Sequence, residues 1–276
     1  MTRNPLLRAS IWTVMLLFLV AVMFPFYWMV NTSLKPMAEV FQSPPAFYPA
    51  HWTFAAYVSV WATRLMGRYF LNSTVISLGS TLLAMLLSAL AACGFSRFRL
   101  RWEQPLILVL LLTQMLPGTL LIIPYFQLMA SLRLINNYLS LILAYVSFAL
   151  PFSTWMLVGF FRSIPLELDE AALVDGCGRV GAFWRVILPL SLPGLVAVAI
   201  FTFLLAWNAY VFALVLTTDP KMFPLSVGIA NMLGEYQVVW NEMMAGAILA
   251  TLPVFILYGF LERYLVQGIT ADAVKG

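Results

Sequence analysis

The sequence is poor in charge, cysteine and histidine. Only 9% of its 276 residues are charged and 63% are hydrophobic, against about 25% and 45–50% in a typical soluble domain, so a soluble globular protein is excluded. Cys93 and Cys177 are the only cysteines and neither lies in a CxxC motif, which argues against a disulfide framework or a zinc site. The single histidine, His51, lies in a proline-rich segment without a nearby carboxylate in the sequence, and we predict a solvated loop residue.

Charge is missing altogether from six long stretches, and each of them can supply the roughly 20 apolar residues of a bilayer-spanning helix. These stretches are 9–34, 69–96, 104–132, 134–161, 186–218 and 243–261. The sequence therefore predicts an all-α membrane protein with six transmembrane helices, at about 10–30, 70–95, 105–130, 138–161, 194–216 and 243–262. Pro117-Gly118 and Pro124 are expected to interrupt the third helix, and Pro151 the fourth.

The few basic residues predict the orientation of these helices. With a cytoplasmic N-terminus, ten of the fifteen Lys and Arg residues fall inside and five fall outside, which agrees with the positive-inside rule. No small-x-small cleavage site follows the first apolar run, so we expect it to be retained as a membrane span. Both termini and the 162–193 loop are then cytoplasmic, and the 31–69 loop is external.

The 162–193 loop carries a pattern that the other loops lack. Pro165 can open a helix, and Glu167, Asp169 and Glu170 would complement the positive end of its dipole. Gly176 and Gly178 can end that helix, because glycine tolerates the left-handed conformation of a helix terminus. We therefore predict a short helix over about 165–174, with an apolar stripe beside an acidic face, and a second helical stretch over 180–188.

The spacing within this loop resembles the EAA loop of binding-protein-dependent ABC importer permeases. It reads Glu170-Ala171-Ala172, three residues, Gly176, nine residues, and then Val186-Ile187-Leu188-Pro189, with Val186 in place of the usual Ile. The surrounding residues are similar to those of the carbohydrate permeases of the MalG-like family. Further similarity lies at 31–36, 72–73, 203–208 and in the tail 268–276, where Asp272 replaces the usual Gly.

This resemblance implies a type I ABC importer transmembrane domain at 69–264, preceded by a tail, first helix and external loop at 1–68 and followed by a cytoplasmic tail at 265–276. It implies that the EAA helix couples the permease to a separate ATPase through seven residues. They are Glu170, Ala171, Ala172, Asp175, Gly176, Leu188 and Pro189. The chain itself has no GxxxxGK[ST] phosphate-binding motif, so we expect it to bind no cofactor and to be no enzyme.

The partners implied by the resemblance are a second, MalF-like permease, two copies of a cytoplasmic ATPase that uses ATP and Mg, and an extracytoplasmic solute-binding protein. Membrane lipid is a further expected partner, and nucleic acid is not. The location implied is the inner membrane of a bacterial cell.

Neutral polar side chains within the predicted spans point to the cargo. The spans have no ionisable residue away from their ends, which disfavours a proton-coupled transporter and a membrane-embedded enzyme, and which suits a sugar better than an anion. An importer for a non-sugar such as glycerol phosphate stays open as an alternative. The candidates for lining the translocation path are Asn72, Tyr145, Trp155, Trp207, Asn208 and Tyr210.

The orientation can be tested with single cysteines in a variant that lacks Cys93 and Cys177. We expect a cysteine at position 170 to resist a membrane-impermeant thiol reagent in intact cells and to react after the membrane is opened, because the loop is cytoplasmic. A cysteine at position 48, in the external loop, is the control and should react in intact cells. Labelling at position 170 from outside would contradict the topology.

Overall fold

The computed structural model describes residues 5–98, 100–234 and 237–273, with side chains described as far as residue 260. Within these ranges the chain contains helices and connecting segments and no β-strand. The α-helices, in chain order, are α1 Pro5–Ser33, α2 Met37–Val40, α3 Ala55–Thr63, α4 Met66–Arg97, α5 Glu103–Leu112, α6 Ile122–Ser131, α7 Tyr138–Ser163, α8 Leu166–Val174, α9 Arg179–Ala182, α10 Leu188–Leu190, α11 Leu192–Trp207, α12 Val211–Leu216, α13 Leu225–Asn231 and α14 Trp240–Ala273.

Four helices are long and apolar enough to cross a membrane as single pieces: Leu6–Ser33, Met66–Arg97, Tyr138–Ser163 and Trp240–Phe260. Two bent helix pairs raise the number of possible spans to six if each pair is one span. They are Glu103–Met115 with Gly118–Ser131, bent by 88°, and Arg179–Leu190 with Leu192–Trp207, bent by 77°. The predicted all-α membrane class is confirmed.

Prolines explain the break in the third span. Leu116 and Pro117 have extended backbone between the turn that ends at Met115 and the turn that begins at Gly118, as the sequence predicts. Pro124 causes no second break, because it lies in the first turn of α6, where the N–H that proline lacks would have no helical acceptor. The prediction for Pro151 is wrong, since this residue is buried inside the unbroken helix α7.

The fifth predicted span, 194–216, is not one helix. Helix α11 ends at Trp207 after 16 residues, or about 24 Å at 1.5 Å per residue, which is short for a hydrocarbon core of about 30 Å. The chain leaves the helical path over Asn208, Ala209 and Tyr210 and resumes it in the six residues of α12. The expectation of a continuous helix is therefore corrected to two helices with a break between them.

Two compact units are present, and the first contains the described residues of Met1–Gly67 and Ile229–Leu252. The loop that follows α1 in this unit contains Lys35, which is only 3% exposed. The Lys35 ammonium donates a hydrogen bond to the Ala46 carbonyl and lies 5.4 Å from the centre of the Trp28 ring. Burial lowers the pKa of Lys35, and Glu39 opposes this shift. The 31–36 segment is therefore an internal anchor of this unit.

The prediction of a solvated loop residue is confirmed for His51, but the expected lack of a neighbouring carboxylate is wrong. Its side chain is exposed, but its Nδ1 atom lies 2.7 Å from a carboxylate oxygen of Glu39, twelve residues earlier. The other Glu39 oxygen accepts a hydrogen bond from the Ala50 backbone N–H at 3.1 Å. The His51 hydrogen bond is the main cause that lowers the pKa of Glu39. The turn between α2 and Ala50 brings the two residues together, which their separation in sequence does not show.

The second unit contains Arg68–Gly228 together with the described residues of Pro253–Gly276, and α7 and α11 are its central packed pair. Gly194 of α11 faces Phe160 of α7 so closely that a Cβ atom at position 194 would lie 2.6 Å from the ring. One cluster of buried side chains includes Leu157, Phe161 and Val198 from these two helices. This contact places the end of α7, and hence the loop that follows it, against the start of α11.

We expect Gly194→Ala to lower the free energy of unfolding of the purified protein in detergent by about 1–3 kcal/mol, because the Phe160 ring must move to accommodate the methyl group. The measurement is the melting temperature, which should fall. Gly159→Ala is the matched control. No atom lies within 4 Å of a Cβ at position 159, and alanine is the better helix former by up to about 1 kcal/mol. Equal melting temperatures for the two variants would contradict the close α7–α11 contact.

Candidate functional site

Helix α8 presents an apolar stripe with acids beside it. It begins at Leu166, one residue later than predicted, with Pro165 as its N-cap. Leu168, Ala171 and Val174 recur every three residues and are exposed, Val174 by 88%. Glu167 and Glu170 are exposed next to this stripe. A helix with an unpaired apolar stripe and free carboxylates has the pattern of a segment that binds in a groove of another protein.

Gly176 ends α8 in a left-handed conformation, with φ of +84°. The Gly176 N–H donates to the Leu173 carbonyl at 3.1 Å, and the Cys177 N–H donates to the Ala172 carbonyl at 2.9 Å. These two bonds form a Schellman motif, which satisfies carbonyls that the helix end would otherwise leave unpaired. Asp175 is the exposed residue before this turn. The glycine predicted to allow a turn is therefore at the position that requires one.

The other members of the predicted EAA set lie on different faces. Ala172 is 7% exposed and faces the interior of its own unit, which differs from the expectation that both alanines approach a partner. Leu188 is half-buried and Pro189 is exposed. The predicted helix at 180–188 is present as α9, one π-turn at Phe183–Ile187 and the start of α10. Phe183 and Ile187 are buried and fix this stretch to the core.

Arg97, the last residue of α4, connects three helices. Its Nε atom lies 2.7 Å from a carboxylate oxygen of Asp169 in α8. Its two terminal nitrogens each lie 3.3 Å from the carbonyl oxygen of Ile164, at the C-terminal end of α7. A cation at this place also interacts favourably with the negative end of the α7 dipole. In the sequence, Arg97 is one of several basic loop residues. The pair could not be predicted from the sequence, because Arg97 and Asp169 are far apart along the chain.

A cavity of about 260 Å³ lies beside this ion pair. Cys93, Arg97 and Phe98 of α4 and the following turn form one side, and Leu166, Asp169, Glu170 and Leu173 of α8 form another. Helix α8 packs mainly against α9 and the π-turn. Arg162, two residues before Ile164 in the chain, forms a second ion pair with Glu103 of α5. The ends of α4, α5 and α7 thus meet at the base of the EAA loop.

The predicted path residues of span 5 lie at its break. Trp207 is the last residue of α11, and it is buried between the rings of Phe203 and Phe70. Asn208 and Tyr210 follow it and are exposed. The Asn208 amide donates to the Leu204 carbonyl of its own helix at 2.9 Å, and the Ala209 carbonyl accepts from the Ser226 hydroxyl at 2.6 Å. Irregular backbone within a membrane span is stable only where protein or water supplies such partners.

The predicted path residues of the other spans have different surroundings. Trp155 of α7 is 48% exposed, whereas Tyr145 is 2% exposed and belongs to a buried cluster with Leu141 and Ala206. Asn72 of α4 is fully buried. Its amide donates to the carbonyls of Lys221 and Phe223 at 2.9 and 2.8 Å, and its oxygen accepts from the Tyr138 hydroxyl at 2.7 Å. These bonds make Asn72 a connector between α4, α7 and the segment before α13.

An aromatic group next to the break in span 3 was not among the predicted path residues. Tyr125, Phe148 and Phe212 contact one another with ring centroids 5.0–5.7 Å apart. Gln114 donates a hydrogen bond to the Phe148 carbonyl at 2.8 Å. The sequence signal that could indicate this group is Gln114 itself, because it is an amide three residues before Pro117 in an otherwise apolar run.

Comparison with known proteins finds similarity along almost the whole chain. Residues 3–271 match the family described as binding-protein-dependent transport system inner membrane component. The chain is 33% identical over 276 residues to the inner membrane ABC transporter permease protein YcjP of Escherichia coli (strain K12), covering 99% of both chains. It is 35% identical over 272 residues to the trehalose transport system permease protein SugB of Mycobacterium tuberculosis, covering 98% of both.

A solved structure shares the fold. A chain of a bacterial ABC transporter involved in the import of the acidic polysaccharide alginate superimposes with a TM-score of 0.83 at 21% identity, covering 96% of this chain and 99% of the other. The resemblance seen in the EAA loop is therefore confirmed, and the relatives are transport components and not enzymes. With a family match over almost its full length, the chain belongs to the inner-membrane permeases of binding-protein-dependent ABC transport systems.

Proposed function

We propose that this permease forms half of the translocation path of a bacterial importer for a di- or oligosaccharide and takes its energy from a separate ATPase that binds helix α8. The observation that carries this proposal is the outward face of α8. Leu168, Ala171 and Val174 form an exposed apolar stripe beside Glu170, in a chain whose family carries out binding-protein-dependent transport.

The outward face of α8 suits a cleft in a partner protein. Glu170 can accept a charge-assisted hydrogen bond worth about 1.5–3 kcal/mol from a basic or backbone donor in such a cleft. Ala171 leaves room for close approach, and the Schellman turn at Gly176 directs the chain away from the contact. A rigid helix with a fixed end can transmit movement of an ATPase dimer to the membrane spans.

The assembly that we propose has four further subunits around this chain: a second, MalF-like permease, two copies of the ATPase with its ATP and Mg, and a solute-binding protein outside. One similar fold comes from the alginate ABC transporter in complex with an alginate-pentasaccharide-bound periplasmic protein, which supports the binding-protein partner. The excess of basic residues in the loops on the EAA side supports cytoplasmic termini and a cytoplasmic α8.

A sugar is the cargo best supported by the residues. Similar proteins include the trehalose permease SugB and the diacetylchitobiose permease NgcG of Streptomyces coelicolor, at 35% identity over 263 residues. SmoH of Agrobacterium fabrum is named for the transport of sulfoquinovosyl glycerol. In the described parts of the long apolar helices, charged side chains of this chain lie near helix ends, which favours an uncharged sugar.

The break in span 5 is where we place this chain's side of the path. Asn208 and Tyr210 are exposed beside backbone that leaves the helix, and such irregular backbone lines cavities in membrane proteins. Amide groups can hydrogen-bond sugar hydroxyls, and aromatic rings pack against the apolar faces of sugars. Trp155, Tyr145 and Trp207 stay in the proposal as neighbouring wall residues, and Asn72 as the residue that holds the wall in place.

The assembly is tested by co-purification and transport. We expect the chain to purify with a second permease and an ATPase from its own genetic neighbourhood, and proteoliposomes to take up sugar only with ATP and the binding protein, because the chain has no ATP site. Uptake by the chain alone without ATP would contradict the proposal. Uptake of glycerol phosphate in place of a di- or oligosaccharide would replace the sugar assignment and leave the importer assignment intact.

The coupling role is tested with two matched pairs of variants in the EAA loop. We expect Gly176→Ala to reduce sugar-stimulated ATP hydrolysis strongly, because L-residues are disfavoured by about 1–2 kcal/mol at positive φ, and Glu170→Lys to abolish it. Gly178→Ala is the first control, since Gly178 has φ of −71° and no atom within 4 Å of its Cβ position. Glu167→Lys is the second control, with the same charge change on the same helix.

All four variants should reach the membrane at normal abundance, because their sites lie outside the spans. The substitutions at 167, 170 and 178 are surface changes that usually cost within about 0.5 kcal/mol, and the strain of about 1–2 kcal/mol at position 176 is confined to one turn of the loop. Normal transport by both Gly176→Ala and Glu170→Lys would contradict the coupling assignment. Equal losses in the Glu170 and Glu167 variants would show that only the total charge of the helix matters.

A further inference from the structure

The connection between α7 and α8, called the corner below, consists of two residues with extended backbone, Ile164 and Pro165. Arg97, which belongs to α4, contacts one residue within this corner and one residue after it. The terminal nitrogens of Arg97 contact the Ile164 carbonyl in the corner, and its Nε atom contacts the Asp169 carboxylate after it. The side chains of Arg97 and Asp169 are 8% and 17% exposed. One guanidinium thus holds the end of a membrane helix and the start of the EAA helix.

We propose that Arg97 and Asp169 form the mechanical link by which movement of α8 reaches the membrane helices α4 and α7. This inference rests on the proposed function and names two positioning residues outside the EAA set. Neither residue contacts the cargo or ATP. Their role is to keep the angle between α8 and α7 fixed while α8 is moved by its partner.

The packing around the pair shows why a link is needed there. Helix α8 packs mainly against α9 and the π-turn, and the space between α8 and the end of α4 is the cavity of about 260 Å³. Apolar contact between α8 and α4 is therefore incomplete. Across this gap the Arg97–Asp169 pair provides a direct polar contact, so that a push on α8 reaches α4 through these side chains.

An arginine–carboxylate pair suits this task better than apolar packing. The planar guanidinium can bind two acceptors in fixed directions, which a single methyl contact cannot do. Its low exposure reduces screening by salt, so the attraction persists in the cell. Asp169 also lies in the first turn of α8, where a carboxylate is favoured by the helix dipole. Charge attraction thus holds the start of α8 beside the end of α4, while the guanidinium directs its hydrogen bonds to the Ile164 carbonyl at the end of α7.

The test uses the assembled importer in proteoliposomes with Arg97→Gln, Asp169→Asn and the double variant. The measured quantities are sugar transported per ATP hydrolysed and the stimulation of ATP hydrolysis by the loaded binding protein. We expect each single variant to lower both by about fivefold or more while the ATPase stays bound, a coupling change in the usual range for linked sites. The double variant should be no worse than the single ones, because the two residues act as one unit.

Arg97→Lys is the conservative variant, and it should recover part of the coupling because a cation stays beside Asp169. Two controls separate this effect from general damage. Arg101→Gln removes one cation from the same loop at an exposed position, and Arg64→Gln breaks a similar pair with Glu242 of 2.9 Å that contains no residue of the EAA loop. Both control variants should keep normal transport per ATP.

Normal coupling in Arg97→Gln and Asp169→Asn would overturn the link, while the Gly176 and Glu170 variants would still test the coupling helix itself. A second outcome would also overturn the link. If the amount of protein, the transport rate and the ATP hydrolysis rate all fall together while the sugar transported per ATP stays constant, the residues are needed only for folding. If Arg97→Gln does not accumulate, Asp169→Asn and Arg97→Lys decide: reduced transport per ATP in Asp169→Asn with recovery in Arg97→Lys supports the link, and normal values in both refute it.

Discussion

The hydrocarbon core offers no water to bond with backbone N–H and C=O groups, and the rest of this structure depends on that constraint. Within the described residues the long apolar stretches are helical over most of their length, and in the break of span 5 a side chain supplies a partner. Ser226 binds the Ala209 carbonyl there, whereas Gln114, before the break of span 3, binds the Phe148 carbonyl of the neighbouring helix α7. The neutral polar residues of the spans are therefore first a structural requirement, and only some of them are free to meet a cargo.

The EAA loop shows how one short helix can serve two surfaces. Glu170 and Ala171 are exposed, with Glu170 also bordering the cavity beside Arg97, whereas Ala172 and Asp169 contact their own chain. The two alanines of the motif thus differ in their surroundings. Ala172 is small because its side packs against the rest of its unit, and Ala171 lies on the surface that the proposed function assigns to the ATPase.

Much of the fold could be predicted, because hydropathy and the backbone freedom of glycine can be read from neighbouring residues in the sequence. The spans, the helix at 166–174 and the left-handed Gly176 all follow from residues that are neighbours in sequence. The break after Trp207 could not be predicted, since 195–216 contains no proline or glycine. The Arg97–Asp169 and Glu39–His51 pairs depend on chain segments meeting in space. The roles of Asp272, whose side chain lies outside the described residues, and of residues 274–276 stay predictions.

The π-turn at Phe183–Ile187 lies within the spacing between Gly176 and Leu188 of the EAA motif. Each residue of an α-helix advances the chain by about 100° around the axis, and a π-turn holds one residue more than an α-turn. Deleting one residue within the π-turn would therefore turn it into an α-turn and keep α10 in register, whereas a deletion elsewhere between Gly176 and Leu188 would shift every later side chain of α10 by about 100°. In the second case Leu188 would take the buried place of Ile187, and Pro189 would take the half-buried place of Leu188. The π-turn is thus the place where this segment can lose one residue without moving the end of the EAA motif.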